Sequence, residues 1–264
     1  MDIKYRLLPT FIAFLCFVTK TVFSSERAEL ADPNNPAYVP EKLKDPHHGV
    51  KMGQINPLCD DAKVNISIDF KDDPRMYTCY HPKAWFPFDV VENLAPKMSC
   101  DTVLPKYAPR HYCMNYKIKY DTVLPTHEGH RPLWPVFGEY DYVPPQRWLH
   151  NIEHGAVVML YHPCTHPFYV DQLRRIVTGC LRKHVITPYP MLSPERPLAL
   201  VAWGCRYEMS SVNKKEVVKF IKEKAMKGPE AHYAKEGQYS HMLRKKAVPP
   251  KGSNFEDSVI CPND

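Results

Sequence analysis

The chain has 264 residues, 44% of them hydrophobic, with 27 prolines against only 10 glycines. This length is enough for one substantial core, and the proline content favours rigid, extended connections over flexible linkers. The formal net charge of +6 is too small to indicate a nucleic-acid partner, and the one tight basic cluster, at residues 244–246, is typical of a solvated surface.

The N-terminus has the pattern of a cleaved secretory signal peptide. Basic residues at Lys4 and Arg6 precede a mostly apolar run over 7–18, and small residues follow up to Ser24. The run is shorter than the roughly 20 residues that span a bilayer, and a buried N-terminal helix is the alternative interpretation. We predict a signal peptide over 1–24, whose removal lowers the net charge to +4 because it takes away three basic residues and one acidic residue. The expected location is secreted or extracellular.

The remaining chain divides by composition into three parts. Residues 25–57 are polar, rich in proline and without periodicity, which predicts an extended or disordered leader. We expect a disulfide-stabilised globular domain over 58–250 and a C-terminal tail over 251–264. No later apolar run reaches membrane length and the tail has no lipid-anchor signal, so we expect no transmembrane anchor in this chain.

Eight cysteines remain after removal of the signal peptide. An even number in a secreted chain predicts four disulfides, with the pairing left open. No two of them form a C-x-x-C pair, so a zinc ribbon or a thioredoxin-like motif is unsupported. The segment Asn65-Ile-Ser67 is an N-glycosylation acceptor, which predicts a surface position and a glycan for Asn65. The eight cysteines are Cys59, Cys79, Cys100, Cys113, Cys164, Cys180, Cys205 and Cys261.

Hydrophobic periodicity predicts five elements, three strands and two helices. Residues 63–70 alternate like a half-buried strand. Continuous apolar runs over 155–161 and 197–204 are typical of strands covered on both faces. Apolar residues at helical spacing predict helices over 168–183 and 213–227. We therefore expect an α/β (or α+β) fold: a single domain with a small central sheet, two main helices and a proline-rich N-terminal portion held by disulfides.

Histidines are concentrated in the middle of the chain. Neutral imidazoles are common ligands of zinc and copper, and His130, His150 and His154 are the candidate metal ligands. A short helix over 145–154 would place His150 and His154 one turn apart on one face. The alternative is structural, with imidazoles hydrogen-bonded to backbone carbonyls. The central histidines are His127, His130, His150, His154, His162 and His166.

The segment His150-Asn-Ile-Glu153-His154 also fits the H-x-x-E-H pattern of the inverzincin metallopeptidases, in which the glutamate activates zinc-bound water. A metal-dependent hydrolase with Glu153 as general base is therefore an alternative function. A serine nucleophile is unsupported, because the chain has no G-x-S-x-G motif, and no glycine-rich phosphate loop is present.

Long stretches of the chain resemble a known family. Residues 120–134, 138–164 and 196–205, together with Gly228-Pro-Glu230, are similar to the family of animal tumour protein p53-inducible protein 13 and its bacterial relatives, which are extracytoplasmic domains of unknown function. The resemblance covers roughly residues 100 to 245. It implies an extracytoplasmic domain with no settled reaction, a loose link to growth control, and a membrane anchor in the related animal proteins.

The family pattern is matched at six positions, three of which are histidines. Ile152 replaces a leucine of the pattern, and Glu128 stands where a serine is usual. We therefore expect a non-catalytic extracellular domain that binds zinc or copper, with the hydrolase and a purely structural module that binds an unknown protein partner as alternatives. The matched positions are His130, Tyr140, His150, Glu153, His154 and Gly155.

Overall fold

A computed structural model describes Asn35 and residues 37–80, 88–233 and 235–264. The predicted signal peptide lies outside the described residues. Within them, a seven-stranded sheet is packed between helices, so the predicted mixed α/β class is confirmed, with a larger sheet than expected.

The strands and helices are numbered separately in chain order. The strands are β1 (Lys44–Asp45), β2 (Gly49–Val50), β3 (Lys97–Cys100), β4 (Gly138–Tyr140), β5 (Val157–Tyr161), β6 (His184–Pro188), β7 (Leu198–Ala202), β8 (Cys205–Met209) and β9 (Leu243–Lys246). The helices are α1 (Pro145–Glu153), α2 (Pro167–Cys180) and α3 (Lys214–Lys224).

The main sheet is mixed, with strand order β3-β8-β7-β5-β6-β4-β9. Strand β6 pairs in parallel with β5 and β4, whereas the other neighbours are antiparallel. Strands β1 and β2 form a separate antiparallel hairpin. The continuous apolar runs form β5, which pairs in parallel with β6, and β7, which is antiparallel to both neighbours; both strands are buried because helices cover the two faces of the sheet at this point.

Strand β5 shows this burial directly. Val157 and Met159 belong to the core beneath α2 and α3, whereas Val158 and Leu160 belong to the core on the opposite face, which α1 covers. Helices α2 and α3 correspond to the helices predicted over 168–183 and 213–227. Helix α2 ends at Cys180, and α3 begins after Asn213, whose side chain accepts hydrogen bonds from the first-turn amides.

The strand predicted over 63–70 is absent, and this prediction is wrong. The segment forms turns that lead to a 3₁₀ helix over Ile66–Ile68. The Asp61 side chain accepts hydrogen bonds from the amides of residues 63 and 64, and Asn65 adopts a left-handed conformation with φ 57°. These local hydrogen bonds compete with strand formation, so alternating apolar residues alone do not produce a strand here.

Asn65 is exposed, and its glycosylation stays a prediction.

Packed structure begins earlier than Cys59, within the segment expected to be an extended or disordered leader. Leu43, directly before β1, and Val50, in β2, are buried against the Cys59–Cys113 disulfide. The C-terminal residues expected to form a tail are also attached to the domain. The Asp257 side chain accepts hydrogen bonds from two backbone amides before β6, and Cys261 is disulfide-bonded to α2.

All eight cysteines are paired, as the even number predicted. The disulfides are Cys59–Cys113, Cys79–Cys164, Cys100–Cys205 and Cys180–Cys261. Four disulfides in one domain are typical of proteins that fold in an oxidising compartment. Among the helices that the structure describes, none has the length and apolar character needed to cross a membrane.

Candidate metal centre

Helix α1 supplies the centre of a histidine and glutamate cluster. Residues 147–153 of this helix are all buried, because the helix lies between the sheet and the N-terminal segments. His150 and Glu153 are three residues apart and therefore share one face of the helix. His154 is the C-cap, and its ring stacks on that of His150 with centroids 4.8 Å apart.

Three backbone segments bring three further histidines to this face. His111 and His130 form a parallel backbone bridge, in which the His130 amide donates to the carbonyl of Arg110 at 3.0 Å. The His111 amide in turn donates to the carbonyl of His48 at 2.7 Å. The neighbouring backbones therefore place His48, His111 and His130 side by side.

The Nδ1 atoms of the three innermost histidines all face backbone carbonyls. The distances are 2.8 Å from His111 to the carbonyl of Val50, 2.9 Å from His130 to that of Glu128, and 2.6 Å from His150 to that of Arg131. A carbonyl oxygen only accepts, so each Nδ1 carries a proton, and in the neutral imidazole Nε2 then exposes a lone pair. Metal-binding histidines are oriented in the same way.

The Nε2 lone pairs converge on the carboxylate of Glu153. His130 Nε2 lies 3.0 Å and His111 Nε2 lies 3.7 Å from Glu153 Oε2. Among the described residues, none donates a hydrogen bond to either carboxylate oxygen or to the three Nε2 atoms. We call His111, His130, His150 and Glu153 the inner group; its donor atoms all lie within 4.8 Å of one another.

A second set of donors adjoins the inner group. His48 Nε2 lies 3.6 Å from Glu153 Oε1 and 4.0 Å from Glu230 Oε1. We call His48, Glu153 and Glu230 the outer group; its donor atoms also lie within 4.8 Å of one another, as do those of His150, His154 and Glu230. His154 Nδ1 is 3.8 Å from Glu230 Oε2.

Two glycines allow the Glu230 segment to reach the end of α1. A Cβ atom at Gly228 would lie 2.1 Å from the carbonyl oxygen of Glu153, so a side chain there would collide with the backbone of the helix. Gly155 has φ +83°, a left-handed conformation that favours glycine after a helix. The Glu230 amide then donates to the carbonyl of Glu153 at 3.1 Å.

Burial favours the neutral form of three imidazoles in the cluster. It lowers the pKa of His111, places that of His150 well below the usual value, and lowers that of His154 to about 4. For His48, which is only partly buried, the hydrogen-bonding approach to Glu153 is the main cause and raises the pKa.

The two carboxyl groups differ. Burial of Glu153 favours its neutral form, but hydrogen bonding and positive charge at the imidazoles that face it outweigh this effect and hold the pKa well below its usual range. The carboxylate form of Glu153 therefore depends on positive charge beside it. Burial, and then the Glu153 carboxylate, raise the pKa of Glu230 to about 7. Burial thus favours neutral imidazoles at His111 and His150 beside an ionised Glu153, which are the ionisation states in which these side chains bind metal ions.

The structure brings all three predicted ligand candidates together, with His130 and His150 in the inner group and His154 beside Glu230. Glu153, predicted as a general base if the chain is an enzyme, lies between the donors. The other central histidines have local contacts: His127 Nδ1 lies 3.0 Å from the Thr126 hydroxyl, and His162 and His166 accept hydrogen bonds from nearby amides.

Sequence reasoning did not select three residues of the cluster. His48 and His111 stand alone in segments without a motif, and Glu230 was noticed only within the family resemblance. Sequence spacing contains no signal for His48, because it lies 105 residues before Glu153 and reaches it through the hairpin. For His111, the backbone bridge to His130 is the decisive contact.

Comparisons with known proteins agree with the resemblance. Residues 111–237 match the family described as "Protein of unknown function (DUF3105)". Tumor protein p53-inducible protein 13 of Mus musculus is 30% identical over 93 residues, and that of Rattus norvegicus is 29% identical over the same length. Each match covers 34% of this chain and 23% of the relative, so the chain spans about a quarter of the length of these curated relatives. No solved structure shows a significant match.

Proposed function

We propose that this chain, whose residues 111–237 match a family of unknown function, is an extracellular non-catalytic domain that binds zinc or copper through the inner group. The observation that carries the proposal is the convergence of three buried Nε2 lone pairs on a buried carboxylate. With neutral imidazoles, all of these atoms accept hydrogen bonds and none donates one, so a cation is the partner that satisfies them together.

The electrostatics of Glu153 support this proposal. Its side chain is fully buried, and the partners within 4.0 Å of its oxygens among the described residues are histidines. A buried carboxylate without a compensating partner is costly, and so is a buried lone pair that accepts no hydrogen bond. At 3.0 Å, two acceptors such as His130 Nε2 and Glu153 Oε2 repel each other unless a positive charge lies between them.

The donor types favour zinc or copper over other metals. Imidazole nitrogens suit both, and one carboxylate oxygen completes a four-ligand set. The eight cysteines that the structure describes all form disulfides, so none of these eight offers a thiolate to an iron–sulfur cluster or a copper(I) site.

The geometry supports binding more than hydrolysis. A general base must reach a metal-bound water while remaining unligated, and a catalytic zinc keeps an open coordination position. Glu153 instead lies among the donors and has no exposed side-chain surface, and His111, His130 and His150 are at most 1% exposed. A substrate would therefore need to displace protein segments before it reached a metal ion in the inner group.

The test is metal content by elemental mass spectrometry on purified secreted protein, followed by titration of chelator-treated protein with zinc and with copper(II). We expect bound metal in the wild type. His130→Ala should weaken binding by more than the roughly 10- to 100-fold that loss of an outer-shell partner costs. His127→Ala is the matched control, because it removes a histidine of the same motif that lies outside the inner group, and it should bind as the wild type does.

The wild-type result is decisive. If the protein contains no metal and takes up none on titration, the proposal fails, and the histidines are structural residues of a module that binds a protein partner. Equal loss of metal in both variants would also contradict it, because His127 is not a ligand in this arrangement. Retention of metal in His130→Ala with unchanged affinity would place the site elsewhere.

A further inference from the structure

We infer that the cluster holds two metal ions, bridged by the carboxylate of Glu153. This inference rests on the proposed function, because the second position adjoins the first. The first ion would lie in the inner group, and the second in the outer group formed by His48, Glu153 and Glu230.

The number of donors is the first argument. A protein-bound zinc ion usually takes four ligands, and the inner group already supplies four. His48, His154 and Glu230 then remain as additional donors at the same place, although a single ion does not need them. His154 Nε2 and Glu230 Oε2 are buried and have no hydrogen-bond partner among the described residues.

The orientation of Glu153 is the second argument. Its two oxygens face different histidines: Oε2 faces His130 and His111, whereas Oε1 faces His48 at 3.6 Å. A carboxylate with its two oxygens directed at two donor sets is suited to bridge a pair of ions. Metal ions in two-metal sites lie about 3.5–4 Å apart, and the donor atoms of each group span no more than 4.8 Å.

The outer group is supported from its own side. His48 Nδ1 lies 3.5 Å from Asp45 Oδ1, and Asp45 also accepts a hydrogen bond from the His48 amide. A carboxylate behind a histidine orients its other nitrogen towards a metal, here Nε2 towards Glu153 and Glu230. Glu230 is fixed from behind by its backbone, since its carbonyl faces His154 Nδ1 at 3.3 Å.

The outer group is also the accessible side of the cluster. The side chains of His48 and Glu230 are 19% and 15% exposed, whereas Glu153 is fully buried. A second ion would enter and leave past these two residues. His48 belongs to the N-terminal hairpin region, so this ion would also hold that segment against the domain.

The experiment compares metal stoichiometry in the full secreted chain and in two adjacent histidine variants. His48→Ala removes a donor of the outer group, and His47→Ala is the matched control, because His47 is exposed and takes no part in either group. Each protein is saturated with copper(II), freed of excess ion by gel filtration and analysed by elemental mass spectrometry and electron paramagnetic resonance. In parallel, zinc anomalous scattering from wild-type crystals would show the positions directly.

We expect two ions per chain in the wild type and in His47→Ala, and one in His48→Ala. Two copper(II) ions at the expected separation couple magnetically, so the signal of isolated copper should decrease as the second equivalent binds to the wild type. In His48→Ala that signal should persist.

The two proposals fail in different ways. One ion per chain in both the wild type and His48→Ala would overturn the second position and leave the proposed function intact. Two uncoupled ions in both proteins would overturn it as well, because the second ion would then bind elsewhere. No bound ion in the wild type would refute the proposed function itself.

Discussion

The buried ion pair between Arg131 and Asp69 is the strongest test of how the cluster is supported. The two side chains are 0% and 2% exposed, with Nε–Oδ2 and Nη2–Oδ1 distances of 2.7 and 2.5 Å. The remaining guanidinium hydrogens reach three backbone carbonyls at residues 112, 113 and 116. The carbonyl of Arg131 accepts the proton of His150 Nδ1, so this pair lies directly behind the inner group.

We expect Asp69→Ala to destabilise the protein by about 3 kcal/mol. Removal of one partner of a buried pair costs roughly 3–5 kcal/mol, because it leaves an uncompensated charge. The three carbonyl contacts of Arg131 remain, which places the expected cost at the lower end of that range. The measurement is urea unfolding of the chelator-treated protein with intact disulfides, compared through midpoints at equal slope.

Asp141→Ala is the control, because Asp141 forms an exposed ion pair with Arg244 at 3.3 Å. Exposed pairs contribute about 0–1 kcal/mol, so its midpoint should shift little. If Asp69→Ala costs no more than Asp141→Ala, then Arg131 does not depend on its carboxylate partner. The reasoning about the support behind His150 would then be wrong.

Three further predictions concern other parts of the fold. Burial lowers the pKa of His184 to about 4, so the folded protein binds fewer protons at this residue than the unfolded chain does. The resulting contribution to the free energy of unfolding, about 3 kcal/mol, is complete above pH 6.5 and is lost as the pH falls towards 4. The free energy of unfolding of His184→Gln should therefore depend less on pH than that of the wild type. Joint replacement of Cys180 and Cys261 by serine opens a loop of 81 residues and should lower the free energy of unfolding by about 4 kcal/mol. An unchanged thermal midpoint would show that the C-terminal segment is already held by its other contacts. Asn65→Gln should increase the electrophoretic mobility of protein secreted from animal cells by the mass of one glycan; equal mobility before and after treatment with a glycosidase would exclude a glycan at this position.

Much of the fold could be predicted from local patterns. The continuous apolar runs located β5 and β7, and helical spacing located α2 and α3, because burial on one or two faces is recorded in the order of residues along the chain. The same method failed at residues 63–70. There the side-chain and backbone hydrogen bonds of Asp61 and Asn65 decided the conformation, and an alternating pattern contains no information about them.

For the candidate site, the chain order determined only the part that lies on one helix. The spacing of His150 and His154 predicts that they share one face at the end of α1, since residues four apart lie on the same face. His111 joins them through a backbone bridge to His130, and His48 through a backbone hydrogen bond to His111. Glu230 joins through the close approach of the backbone at Gly228 to the end of α1. The tertiary structure alone decided these contacts, as it decided the four disulfide pairings, because convergence in space depends on how the whole chain is folded and leaves no periodic trace in the sequence.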